Sequence, residues 1–234
     1  MFAKNGPTLL ELIQQALTST RRGYDLLAPK FDATPFRTSD DVLGPAVAMV
    51  GPINSALDLC CGTGAGMLRL RPLCREKLVG LDFSPGMLQQ AKANLSQVEG
   101  TGKVEFVEAD VLAMDYHEEF DAITCFGALG HILPQDQHQF LHNIYRALKP
   151  RGRFVFVTGP HPPFFSIVNL VLTVFNITMT IRNALLKPPF IMYYLNFLLP
   201  EVVAMLEIEG FAVEVIPDMF AAPFEKYQLV IAKR

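Results

Sequence analysis

Apolar residues along this chain change their spacing repeatedly, and the changes divide it into short strands and longer helices. Runs rich in β-branched and aromatic residues at 55–60, 77–82, 103–107, 120–125 and 153–158 predict five strands. Helical spacing fills 64–74, 84–98 and 135–148 between them, and Ser84 followed by Pro85 reads as an N-cap and first helical residue. Ahead of the first strand, Thr8 and Glu11 have capping-box spacing and open a helix to about Thr18. A second helix covers 21–31 and a third follows Ser39. Behind the fifth strand, 200–209 reads as a helix stopped by Gly210, with strands at 212–217 and 227–232.

Strands alternating with helices imply right-handed crossovers and a parallel sheet covered on both faces. The last two strands are joined too closely for a helical crossover, so they pair antiparallel. The expected fold is α/β: a Rossmann-like, seven-stranded, mostly parallel sheet with helices on both faces. It carries an antiparallel C-terminal strand and a helical insertion before the last two strands. One domain is expected over 1–234, with an N-terminal helical cap at 1–50 and an apolar helical lid at 160–200. No repeat, low-complexity stretch or linker divides it.

Composition narrows the partners. The 234 residues are 50% apolar and only 18% charged, with net charge −3. No block of Lys or Arg stands out, which argues against nucleic acid and leaves a small-molecule or lipid partner open. Cys60, Cys61, Cys74 and Cys125 form no metal-ligand pattern with histidine, so no metal site is expected and free thiols in a reducing compartment account for them. His138 and His142 stand four apart on a helix but have no third ligand nearby; a solvated face is expected. The first fifteen residues lack a basic stretch followed by a long apolar core, so no secretory signal is expected and the location defaults to the cytoplasm. The oligomeric state is not legible.

Chemistry concentrates at ALDLCCGTGAG, where Gly62, Gly64 and Gly66 follow a strand and open a helix. Small residues there let backbone N–H groups meet a ligand closely. A dinucleotide fingerprint would place its third glycine at 67, where Met67 stands, so the spacing leans away from nicotinamide cofactors. Asp58 ends the same strand, Asp82 ends the next, and Asp110 follows the third. Carboxyl ends of adjacent parallel strands line one crevice, so the three acids should face a common ligand bearing an ammonium, a ribose and an exocyclic amine.

LDLCCGTGAG, VGLDFSPGMLQQAKAN, FVEADV, FDAITCFGALGHI and RALKPRGRFVFV, in this order, resemble the successive motifs of class I S-adenosylmethionine-dependent methyltransferases. The likeness is to the small-molecule branch that includes the ubiquinone/menaquinone-biosynthesis type, and it spans 24–158. It implies S-adenosylmethionine as cofactor. Asp58, Gly62 and Gly64 would hold the methionine end, and Asp82 the ribose hydroxyls. Phe83 and Met87 would flank the adenine, with Asp110 and the Val111 N–H on its edge. Phe126 and Gly127 would border the sulfonium, and Tyr24 would cap the cofactor. Cys60 also lies in this site, where the family usually has glycine, and Arg151 replaces a second usual glycine.

For the methyl acceptor, His131 is the first candidate base and His161 the second. The segment 154–200 carries only two charges, Arg182 and Lys187. Its uncharged run 164–181 reaches the length that raises a membrane-span reading, but Ser166, Asn169, Thr173, Asn176 and Thr180 make a polar stripe at helical spacing. A lid over an apolar, aromatic or lipid-like acceptor is expected, with Phe164, Phe165, Tyr193, Tyr194 and Phe197 as its wall; peripheral membrane contact is the second reading. The second functional class is a non-catalytic S-adenosylmethionine or nucleotide binder with the same pocket.

Overall fold

The computed structural model describes residues 5–234; residues 1–4, the start of the predicted cap and of the stretch read for a secretory signal, lie outside it. Seven strands form one sheet in the order β3-β2-β1-β4-β5-β7-β6. They are β1 (Ile53–Leu59), β2 (Cys74–Asp82), β3 (Lys103–Glu108), β4 (Phe120–Cys125), β5 (Leu148–Thr158), β6 (Ala212–Ile216) and β7 (Gln228–Lys233). The first five pair in parallel, and β7 runs antiparallel to both β5 and β6. Position decides composition: every residue of central β1 except Asn54 is buried, whereas edge strand β3 carries Lys103, Glu105 and Glu108 and is nowhere fully buried.

Alternating residues of β5 feed two cores. Phe154 and Phe156 join Phe140 and Leu206 on one face, while Val155 joins Leu70, Leu78 and Leu88 on the other. The helices over these faces are α4 (Ala65–Leu70), α5 (Pro85–Leu95), α6 (Gln137–Ala147) and α8 (Glu201–Ile208), with α3 (Asp40–Ala48) ahead of the sheet. α4 is shorter than the predicted 64–74, because Pro72 follows its end and β2 has begun by Cys74. β5 begins at Leu148 rather than 153, through a register shift against β4 between Phe120 and Ala122. The predicted helix 21–31 is α2 (Thr20–Leu27) followed by a 3-10 turn at Ala28–Ala33, which contains Pro29. The first helix is α1 (Leu9–Ala16), closed by the predicted Thr8–Glu11 capping box.

The insertion holds α7 (Ile167–Leu185), the one helix among the described residues long and apolar enough to cross a membrane by length and composition. None of its residues is buried. A strap without regular structure then leads from 186 back to α8.

Candidate active site

Strand order reverses between β1 and β4, and a cleft of about 640 Å³ opens at the carboxyl ends of these strands. Its floor is the turn after β1. Cys60 (φ +50°), Gly62 (φ +53°) and Gly64 (φ +85°) all adopt left-handed backbone, which aims the start of α4 at the cleft. Asp58 sits directly below. A Cβ on Gly66 would lie 2.6 Å from its Oδ2, so only glycine lets this carboxylate lie against the helix start.

Both acids at the strand ends are buried, Asp58 at 2% exposure and Asp82 at 4%. Thr124 Oγ1, on β4, donates to Asp58 Oδ1 at 2.6 Å. The Gly62 N–H donates to Asp82 Oδ2 and the Ser84 N–H to Oδ1, each at 2.9 Å. No cation pairs with either acid among the described residues. Burial therefore dominates, pushing the Asp58 carboxyl up to about 7 and that of Asp82 up to about 6, against the hydrogen bonds that favour ionisation. The Cys60 thiol is pushed up too, by its hydrogen bond with Cys125 and then by burial.

The N-terminal helices close the cleft from above. Thr63 Oγ1 donates to Asp32 Oδ1 at 2.5 Å, and Asn94 Nδ2 donates to Asp32 Oδ2 at 3.2 Å. Asp25 accepts from Ser84 Oγ at 2.6 Å and from the Gly86 N–H at 3.0 Å, fixing α2 to the start of α5. These ties hold Tyr24 over the turn. Its hydroxyl lies 2.8 Å from His131 Nε2, while His131 Nδ1 lies 2.5 Å from the Ile191 carbonyl. A carbonyl only accepts, so Nδ1 carries the proton and Nε2 accepts from Tyr24. Burial lowers the His131 pKa and raises that of Tyr24, keeping both neutral.

Of the predicted cofactor residues, Tyr24, Asp58, Cys60, Gly62, Asp82, Phe83, Met87, Phe126 and Gly127 line this cleft. Gly64 shapes the turn from behind. Asp110 and Val111 stand outside the lining: Asp110 is exposed and caps the short turn after β3, accepting the Leu112 N–H at 2.9 Å. His131 lines the cleft, but its free nitrogen faces Tyr24 rather than open space. His161 lies elsewhere, exposed and paired with Glu201 at 3.0 Å. His138 and His142 approach Glu209 of α8 at 3.6 and 3.3 Å.

The predicted acceptor wall is mostly displaced. Only Tyr194 reaches the cleft. Phe164 and Phe165 are 79% and 96% exposed on the outside, where α7 is held away from the sheet. Phe197 is buried in the core, its ring centroid 5.8 Å from that of Phe140, and the Tyr193 N–H is bonded to the Gly130 carbonyl. The wall is formed instead by Phe36, Met192, Phe224 and Tyr227 beside Tyr194. The roof is the strap after α7, not α7 itself. Phe224 and Tyr227 lie between β6 and β7, because β7 begins at Gln228 and leaves Tyr227, expected as its first residue, in the connection; two aromatics beside that short connection are the available signal.

A family model described as a methyltransferase domain matches residues 56–152. A demethylmenaquinone methyltransferase of Lactococcus lactis is 33% identical over 158 residues, 65% of this chain and 60% of the relative. A 2-phytyl-1,4-naphtoquinone methyltransferase of Nostoc punctiforme is 36% identical over 103 residues, 43% of this chain and 44% of the relative. This chain thus spans about half the length of the curated relatives it matches. Among solved structures, the DhpI-SAM-HEP complex has the same fold, with TM-score 0.66 over 97% of this chain and all of that one at 18% identity. The magnesium protoporphyrin IX methyltransferase of Synechocystis, solved with bound SAH, gives TM-score 0.57 at 17% identity, covering 83% of this chain and 80% of that one. Residues 56–152 thus match a methyltransferase domain, and the sheet order around them is the fold of S-adenosylmethionine-dependent methyltransferases of known structure.

Proposed function

We propose that this protein transfers a methyl group from S-adenosylmethionine to a flat, apolar small molecule bearing an ionisable hydroxyl, a quinol-like or phenol-like acceptor. The observation that carries this reading is one cleft holding two unpaired buried carboxylates below and a Tyr24–His131 pair above. The donor set suits the cofactor: Asp58 lacks a cation, and Asp82 retains lone pairs for a diol after accepting two N–H groups. Bound there, the sulfonium supplies an electrophilic methyl carbon.

The chain's own residues then position and deprotonate. Phe36, Tyr194 and Tyr227 hold a planar acceptor against the open side of the cleft and exclude water. The Tyr24 hydroxyl oxygen accepts the acceptor's proton while its own proton passes to His131 Nε2, whose Nδ1–H stays on the Ile191 carbonyl. His131 thus works through Tyr24 rather than by direct contact. The names of the quinone-methylating relatives agree with the acceptor class. Titration with S-adenosylhomocysteine, followed by radiolabelled methyl transfer to a panel of quinols and phenols, tests the proposal. Binding lost on Asp82→Ala and transfer to a member of the panel are expected; absence of binding overturns it. Binding without transfer to any fraction of a cell extract would leave only the non-catalytic binder.

A further inference from the structure

α7 is amphipathic in the reverse of the usual sense. In a globular protein a helix turns its apolar stripe inward. Here Asn176, Arg182 and Asn183 face the body. Asn176 Oδ1 accepts the Tyr194 N–H at 3.0 Å, and Asn183 binds both the N–H and the carbonyl of Phe190. Arg182 donates to the carbonyls of Ala16 and Thr18, lashing α7 to the end of α1. The outward face carries Ile167, Leu170, Val171, Val174, Ile177 and Ile181, each more than half exposed. Over the 19 residues of the helix, roughly 28 Å at its usual rise, that face bears no charge.

We infer that this face lies in the surface of a lipid bilayer, with α7 parallel to the membrane plane and the cleft mouth beside it. Three observations favour lipid over a protein partner. The exposed threonines near the middle of the helix spend their protons within it: Thr178 donates to the Val174 carbonyl at 2.8 Å and Thr180 to that of Asn176 at 2.9 Å, which lowers the cost of taking them out of water. Protein interfaces carry a polar rim enriched in hydrogen-bonding groups, whereas an interfacial helix offers apolar and aromatic side chains. Phe164 and Phe165 supply these at the leading end, and α1 adds exposed Leu9, Leu10 and Ile13 beside the trailing end. The face is also continuous with the cleft: Phe175 on α7 packs edge-on against the cleft residue Tyr194, with centroids 4.9 Å apart. Because Asn176, Arg182 and Asn183 bond its C-terminal half to the strap and to the end of α1, the helix lies on the bilayer rather than across it.

The chain has no tryptophan, so F165W introduces a single reporter at an exposed site. With neutral phosphatidylcholine vesicles, we expect the full chain to float with the lipid in high salt and the F165W emission to shift to the blue. L170E/I177E, altered only on the exposed face, should lose flotation at least tenfold with an unchanged unfolding midpoint and unchanged S-adenosylhomocysteine binding. A chain that stays in the soluble fraction with no F165W shift overturns the inference. So does a lipid-free dimer, seen by sedimentation, that L170E/I177E dissolves, since a second copy would then be the occupant. The deepened reading, a lipid-dissolved acceptor, rests on the proposed activity; flotation is read without transfer, so either can fail alone.

Discussion

The hydroxyl of Tyr24 donates to Nε2 of His131 across 2.8 Å, joining the N-terminal cap to the loop after β4. The pair is fixed from both ends, Tyr24 by the Asp25 and Asp32 ties and His131 by the Ile191 carbonyl. A relay of this form fails if the phenol oxygen is removed. Tyr24→Phe should lower turnover about 100-fold, within the usual range for a positioned acid–base group, with S-adenosylhomocysteine affinity changed far less. His131→Gln should do the same and flatten the acidic limb of the rate–pH profile. If Tyr24→Phe leaves turnover on the true acceptor intact, the pair is structural.

The two buried acids give a pH signature with a definite sign. Native Asp58 and Asp82 hold protons up to about 7 and about 6, above the ordinary range near 4 that the unfolded chain shows. Between those values the native state binds more protons than the unfolded state. Stability of the free protein therefore falls as pH rises from about 4 to about 7, then levels. A ligand that brings an ammonium to Asp58 and diol hydroxyls to Asp82 reverses the preference, because each contact favours the ionised carboxylate. Binding of S-adenosylhomocysteine should release protons near pH 6, and its thermal stabilisation should be larger at pH 8 than at pH 5.5. Calorimetry in buffers of different ionisation enthalpy reads the release directly. Proton uptake at pH 6 would show that the acids do not meet the ligand's ammonium and diol.

How much of this was legible in the sequence follows from how local each feature is. The parallel sheet was, because each strand and crossover helix announces itself by its own periodicity, and the Asp58 and Asp82 positions follow from strand ends. The acceptor wall was not. Whether Phe197 turns into the core or Tyr194 into the cleft depends on where the strap after α7 is bonded, through Asn176 and Asn183, and periodicity carries no such information. Composition of the insertion predicted an apolar helix with a polar stripe, but not which side faces outward. Asp110 shows a related limit: its place after β3 is as expected, yet periodicity does not tell that one of its oxygens caps the following turn by accepting the Leu112 N–H.

Asp32, in the 3-10 turn after α2, is a residue the sequence motifs do not single out. It holds Thr63, the residue between two glycines of the turn, so it couples the cap to the cofactor loop. Thr63→Val keeps the shape of a buried side chain and deletes that one hydrogen bond, a loss of about 1 kcal/mol. Cofactor affinity should fall about fivefold, the equivalent of that energy, by calorimetric titration. Asp32→Asn, which still accepts from Thr63, should fall less. Equal binding by all three proteins would mean the cap is not coupled to the turn.

The two departures from the family's glycines share one backbone cause. Cys60 has φ +50° and Arg151 φ +67°, so each non-glycine residue stands in left-handed conformation. At Cys60 the neighbours over-determine it: the Cys61 N–H is bonded to the Leu81 carbonyl at 3.0 Å and the Gly62 N–H to Asp82, which fixes the chain on either side. A β-branched side chain there meets the full steric penalty of that region. Cys60→Val should cost about 2 kcal/mol in urea unfolding, in the range of locally strained backbone. Cys60→Gly should stay within about 1 kcal/mol of the starting protein, since glycine relieves the strain but gives up the Cys125 contact and gains freedom in the unfolded chain. If valine is tolerated as well as glycine, the turn is not held left-handed at this residue, and the family's glycine preference there has another origin.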